Sequence, residues 1–187
     1  PNTKLKLKLT PYTYKSLNAA DFYNYSFEKL KAYPHVIFIE EKVLGIQENR
    51  KEAIVTTALG SYRCSHVFDS RIPAAFYNQN RYLKIQQHFK GIRVKTKNPV
   101  FNTQAFTMMD YRLSYPDSTS FMYVLPYSPN EALIEFTFFS PFTVQESVYD
   151  QYNRDYLKTF FNLTDFEILE VEKGNIPMSN YPFHKHH

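Results

Sequence analysis

Residues 120–140 read Ser-Phe-Met-Tyr-Val-Leu-Pro-Tyr-Ser-Pro-Asn-Glu-Ala-Leu-Ile-Glu-Phe-Thr-Phe-Phe-Ser. Two apolar, β-prone runs, 121–125 and 132–139, flank a polar break holding Pro126, Ser128, Pro129 and Asn130. The pattern predicts an antiparallel pair whose connection is longer than a tight two-residue turn. Glu135 stands inside the second run, among Ile134, Phe136, Phe138 and Phe139. A carboxylate there must be paired, solvent-facing or functional, because burying it ionised and alone is prohibitively costly. Facing the core, it would be desolvated and become a proton donor near neutral pH. Facing water, with Ile134, Phe136 and Phe138 pointing the other way, it is an ordinary strand residue. Strand alternation permits both.

Outward from this pair, residues 18–33 change period. Ala19, Phe22, Tyr23, Phe27, Leu30 and Tyr33 recur at three- and four-residue steps, with Asn18 as N-cap and Pro34 as stop, which predicts an amphipathic helix. A second helix is predicted after Thr143-Val-Gln-Glu146, which has capping-box spacing. The stripe Tyr149, Tyr152, Tyr156, Leu157, Phe160 and Phe161 follows it. Strands are expected at 4–9, 35–40, 53–59, 62–68, 82–89, 92–95, 105–113 and 166–171 besides the central pair. The sum is an α+β chain: a large, mostly antiparallel sheet with two main helices laid against it, in a single domain spanning 1–187.

Composition narrows the classes. The 187 residues suffice for a buried core, and 16 Tyr and 17 Phe with no Trp make an aromatic-rich interior or a ring-lined groove for an apolar ligand. The net charge of +4 is dispersed, with no run of like charges to serve as a nucleic-acid arm. The single Cys64 excludes an intrachain disulfide and fits a reducing compartment. No apolar run is long enough to span a bilayer. The chain opens at Pro1 without Met or a leader pattern and reads as cut from something longer. Gly45, Gly60, Gly91 and Gly174 lie too far apart in sequence to build a phosphate-cradling loop.

Three further groups carry chemistry-bearing residues. His88, in Gln86-Gln-His-Phe-Lys-Gly91, is either a hydrogen-bonded structural residue or a ligand. Asp69-Ser-Arg71 and Asp110-Tyr-Arg112 each place opposite charges two residues apart at a strand end, giving a local charge pair or two groups reaching into one cleft. His184, His186 and His187 have no carboxylate or cysteine cluster beside them, so no metal site is expected.

Taken together, Val67-Phe-Asp-Ser-Arg71, Gln87-His-Phe-Lys-Gly91, Pro99-Val-Phe101, Met109-Asp-Tyr-Arg112, Met122-Tyr-Val-Leu-Pro126, Ala132-Leu-Ile-Glu-Phe-Thr137 and Gly174-Asn-Ile-Pro-Met178 resemble, in order and spacing, the lycopene cyclase family in its bacterial flavoprotein branch. Residues 11–33 resemble the segment upstream. The resemblance implies the substrate domain of a fold like that of flavin-dependent hydroxylases, with the family's Gly-rich flavin segments belonging before Pro1 and after His187. It implies redox-neutral cyclisation of lycopene ends to β-ionone rings in carotenoid biosynthesis. Reduced FAD and NAD(P)H are expected for the full-length protein, and no cofactor for this chain alone.

Within that resemblance, Glu135 falls at the family's acidic motif and is expected to be the acid or cation stabiliser. Asp110 and Arg112 are implied as catalytic neighbours. Asp69, Arg71, His88 and Tyr123 are implied to lie near substrate or cofactor. The implied partners are a carotenoid, the flanking flavin segments and a membrane surface, with no nucleic acid. The implied location is the cytoplasmic, inner face of a bacterial membrane. Two other readings stay open: another flavoprotein, such as a hydroxylase or prenyl reductase, and a non-catalytic module binding a carotenoid or other apolar ligand.

Overall fold

The computed structural model describes residues 7–8, 10–49, 51–72, 74–78 and 81–183. The alternating run 4–9 falls largely, and the terminal histidines wholly, outside them. The expectation was one domain; the chain divides into two compact units, Pro1–Ile72 and Pro73–His187. The α+β class holds, with the antiparallel strands shared between a three-stranded and a five-stranded sheet.

In the first unit, helix α1 (Ala19–Lys31) begins as predicted, with the Asn18 side chain accepting from the Asp21 N–H at 3.2 Å. Strands β1 (Val43–Glu48), β2 (Ala53–Thr57) and β3 (Ser61–Cys64) form the small sheet in that order. The strand expected at 35–40 is turn and irregular chain. Its residues are β-prone, but they join neither sheet, and β-propensity depends on packing against neighbouring strands. No residue of α1 is buried, so its apolar stripe does not lie against a sheet among the described residues, although Phe27 meets Phe38 edge-on at 5.4 Å.

The second unit starts with a short helix α2 (Ala74–Asn78), which was not predicted. Strands β4 (Lys84–Lys95), β5 (Thr107–Asp110), β6 (Thr119–Ser128), β7 (Glu131–Ser140) and β8 (Glu167–Ser179) then form an antiparallel sheet in the order β5-β6-β7-β4-β8. The two strands expected at 82–89 and 92–95 are one, because Gly91 continues the pleat instead of turning it. The central connection is also shorter than expected. Ser128 pairs with Glu131, so Pro129 and Asn130 alone join β6 to β7, and a bulge between Pro126 and Ser128 absorbs the irregularity that made the break look long. Pro177 is tolerated in β8 because β8 is an edge strand, whose outer side needs no ladder donors.

Helix α3 (Glu146–Phe161) covers one face of this sheet. Tyr149, Tyr156 and Leu157 bury against Ile92, Val94, Met122, Val124, Ile134, Phe136 and Phe138, and Tyr152 stacks on Phe136 at 4.5 Å. Each fully buried side chain of this size contributes about 1.5–3 kcal/mol, which outweighs the modest intrinsic helicity of a Tyr-rich segment. The expected capping box does not form: Gln145 is the N-cap and makes no side-chain capping bond. Glu146 is instead turned to Lys90 of β4 at 2.9 Å, and Asp150 reaches the same ammonium at 2.6 Å. Asn162, in the left-handed conformation, ends the helix.

Candidate active site

Alternation along β7 sends Ala132, Ile134, Phe136 and Phe138 toward α3 and leaves Leu133, Glu135, Thr137 and Phe139 on the opposite face. The ladders then align residues across four strands on that second face. Tyr123, Glu135, Gly91 and Glu172 form one row on β6, β7, β4 and β8. Phe121, Thr137, Phe89 and Gly174 form the next, and Leu125, Leu133, Arg93 and Glu170 the row on the other side. Glu135 is therefore central in a face that carries rings and aliphatic side chains on β6 and β7 and the charged Arg93, Glu170 and Glu172 on β4 and β8. Phe121 meets Tyr123 at 5.1 Å and Phe139 at 5.9 Å.

Both sequence alternatives for Glu135 hold in part. Its apolar neighbours do point away from it, yet its own face desolvates it. Burial, opposed by a 2.6 Å hydrogen bond from the Thr137 hydroxyl and reinforced by the neighbouring Glu172 carboxyl, pushes Glu135 up to about 7. A carboxyl of this kind is substantially protonated at neutral pH, and among the described residues no Lys or Arg forms an ion pair with it. It can deliver that proton to an apolar acceptor.

The other predicted site residues separate by face and by unit. Tyr123 shares the row of Glu135. His88 is on the α3 side, 1% exposed, stacked on Phe138 at 4.7 Å and hydrogen-bonded to Tyr149 at 2.5 Å and Ser140 at 2.8 Å. Asp110 pairs in register with Met122, whose side chain belongs to the core under α3. It accepts from Arg112 Nε at 2.9 Å and from the Tyr156 hydroxyl at 2.7 Å, and the Arg112 guanidinium lies 3.7 Å over Phe160. Burial alone would raise the Asp110 carboxyl, but these hydrogen bonds outweigh it and hold the group below its usual range. Asp69 and Arg71 form a bidentate, exposed pair in the first unit, where Arg71 also donates to the Val43 carbonyl at 3.1 Å.

The family model described as lycopene cyclase protein matches residues 3–186. This chain belongs to the lycopene cyclase family. No curated protein matches it. Among solved structures it is similar to the crystal structure of the tetracycline destructase Tet(51), at 12% identity and a TM-score of 0.30. That match takes in 75% of this chain but 41% of the other, so the chain spans about two fifths of that protein's length.

The five-stranded sheet carries two residues that sequence reasoning passed over. Glu172 was missed because the expected last strand stopped at 171, whereas β8 runs on to Ser179. Thr137 was read only as part of a motif; its i, i+2 spacing from Glu135 on a strand was the signal available. The described residues do not fit the flavin that the family implies. None of the glycines has positive φ, and Gly45, Gly91 and Gly174 lie inside strands, so they form no turn that could wrap a pyrophosphate. Among the described residues no cluster of metal-ligating side chains occurs, and no helix is long and apolar enough to cross a membrane.

Proposed function

We propose that this chain provides the substrate-facing sheet of a lycopene cyclase and that Glu135 is its general acid. The observation that carries the reading is a carboxyl pushed up to about 7 at the centre of an aromatic sheet face. The Glu135 O–H gives its proton to the terminal double bond of an acyclic lycopene end, the alkene electron pair forming the new C–H bond. The neighbouring alkene attacks the resulting cation, closes the ring C–C bond and moves the positive charge into the ring. Loss of a ring proton to the Glu135 carboxylate restores both the alkene and the acid, with no net redox change. The partly exposed rings of Tyr123 and Phe139 favour the cation electrostatically, each such contact being worth about 0.5–2 kcal/mol.

Reduced FAD, kept reduced by NAD(P)H, remains the cofactor proposed for the full-length enzyme. The described residues do not fit it, and the proton transfers proposed for this chain belong to Glu135. Asp110, Arg112 and His88 are assigned to holding α3 on the sheet rather than to the reaction. A hydrocarbon substrate this long is drawn from a bilayer, so peripheral contact with a membrane is proposed with the activity.

The test is expression of the full-length enzyme in lycopene-accumulating cells, followed by carotenoid analysis. Bicyclic carotenoid from wild type and acyclic lycopene from Glu135→Gln are expected. Undiminished cyclisation by Glu135→Gln would remove the acid role. Hydroxylated or hydrogenated products would identify one of the other flavoprotein activities, and lycopene bound but left unchanged would identify a carotenoid-binding module.

A further inference from the structure

Gly91 is the one member of the central row without a side chain. It faces Glu135 on β7 and Glu172 on β8, so the two glutamates are separated by a single strand. At the usual strand spacing their Cα atoms lie about 9.5 Å apart. Two glutamate side chains bridge that distance when nothing stands between them. The Glu172 side chain does lie over the gap: a methyl group placed on Gly91 would meet its Cγ and Oε1 at 3.0 Å, and Leu133 Cδ1 at 3.0 Å. A Cβ at position 91 would oblige the Glu172 and Leu133 side chains to give way by a few tenths of an ångström, disturbing the approach of Glu172 to Glu135.

We propose that Glu172 is a positioning residue for the acid: it shares one proton with Glu135 across Gly91 and so keeps Glu135 in its neutral, proton-donating form. This rests on the reading of Glu135 as the acid. The Thr137 hydroxyl engages Glu135 Oε1, which leaves the other oxygen for the shared proton. The Glu172 carboxyl acts in the same direction as burial in raising Glu135. Two carboxyls in contact cannot both ionise at ordinary cost, so the presence of Glu172 favours the neutral form of Glu135.

The remaining charged and titratable groups on this face do not neutralise the pair. Arg93 of β4 is engaged by Glu131 of β7 at 2.5 Å and by Glu170 of β8 at 3.5 Å, and it also lies 4.9 Å over Tyr127. Tyr123 of β6 is the group opposite Glu135 on the other side. Among the described residues no ion pair joins Lys or Arg to Glu135 or Glu172. The proton count closes within the site. Donation to the alkene leaves two carboxylates beside one cation, and return of the ring proton to Glu135 restores the shared state.

The experiment follows the carboxyl signals of full-length enzyme carrying 13C-labelled glutamate by NMR as pH is varied. Wild type, Glu172→Gln, Gly91→Ala and Glu135→Gln are compared, the last to assign the Glu135 signal. Glu172 is exposed and its replacement is isosteric, so the fold is retained. Glu172→Gln is expected to move the Glu135 midpoint down by at least about one pH unit, since the amide can donate to the carboxylate instead of repelling it. Gly91→Ala moves it in the same direction, and the alkaline limb of the cyclisation profile follows both. At pH 8 Glu172→Gln loses about tenfold in rate, and much of the loss is recovered near pH 5.5.

An unchanged Glu135 midpoint in Glu172→Gln overturns the shared proton, even if Glu135→Gln abolishes cyclisation and the acid role stands. A shifted midpoint in an enzyme whose Glu135→Gln variant still cyclises lycopene upholds the pair and removes the acid.

Discussion

The ring of Phe89 on β4 lies directly over Gly174 on β8, so close that a methyl group on Gly174 would meet ring Cζ at 2.5 Å and Cε1 at 2.8 Å. The glycine leaves room for the ring on the same sheet face as Glu135, one row from Gly91. Gly174→Ala must push the ring out of this position. The expected cost is about 1 kcal/mol, the gain in strand propensity offsetting part of the steric penalty. Urea unfolding measures it. In a Phe89→Ala background the same substitution becomes neutral or stabilising, because the atom it collides with is gone.

Stability should depend on pH through Glu135 in a definite direction. Its pKa in the folded chain, about 7, lies above the ordinary value of 4.5, so the folded state favours the neutral form. The contribution is complete below about pH 4.5 and is lost as pH rises through about 7. Glu135→Gln cannot ionise and removes that loss. The variant is expected to be about 1–2 kcal/mol more stable than wild type at pH 8, with the difference shrinking toward pH 5. Equilibrium unfolding at the two pH values checks the sign, and a variant less stable at pH 8 would contradict it.

His88 should contribute the opposite slope. Burial pushes its ring below the ordinary 6.5, so the folded chain holds it neutral between Tyr149 and Ser140. Its contribution is present above about pH 6.5 and is lost as pH falls through the lowered value. His88→Gln, which cannot protonate, is expected to cost about 2 kcal/mol at pH 7 through lost packing on Phe138. It should also flatten the fall in stability on the acid side, as a series of urea titrations would show.

The Asp110–Arg112–Tyr156 group should behave as structure. Tyr156→Phe removes the 2.7 Å hydrogen bond to Asp110 and is expected to cost about 1 kcal/mol. Because the group lies on the α3 side, opposite Glu135, the pH profile of cyclisation should not move with it. A shifted profile would mean that Asp110 communicates with the acid through the sheet.

Much of this was legible in the chain itself. The 3.6-residue stripe from Tyr149 to Leu157 required a helix with one buried side, and the alternating runs of β6 and β7 required a pair with one face under it. The glycine count ruled out a phosphate loop, and the motifs from Val67 to Met178 pointed to the family. The boundaries were less legible. Pro126 and Gly91 looked like breaks, yet a bulge and a continuous pleat carried the strands through both. The residues at 35–40 had strand propensity but join neither sheet.

The sequence by itself determined that Glu135 stands in a β-run whose apolar neighbours form a core, since period and composition are local properties. Only the tertiary structure decided what surrounds its carboxyl. Strand order set β4 and β8 beyond β7, and register brought Gly91 and Glu172 level with Glu135. Neither follows from local pattern, because a slip of one residue in the pairing would exchange one face for the other. Desolvation and charge act on whatever the ladder places nearby, and for Glu135 that is a carboxyl separated from it by 37 positions in the chain.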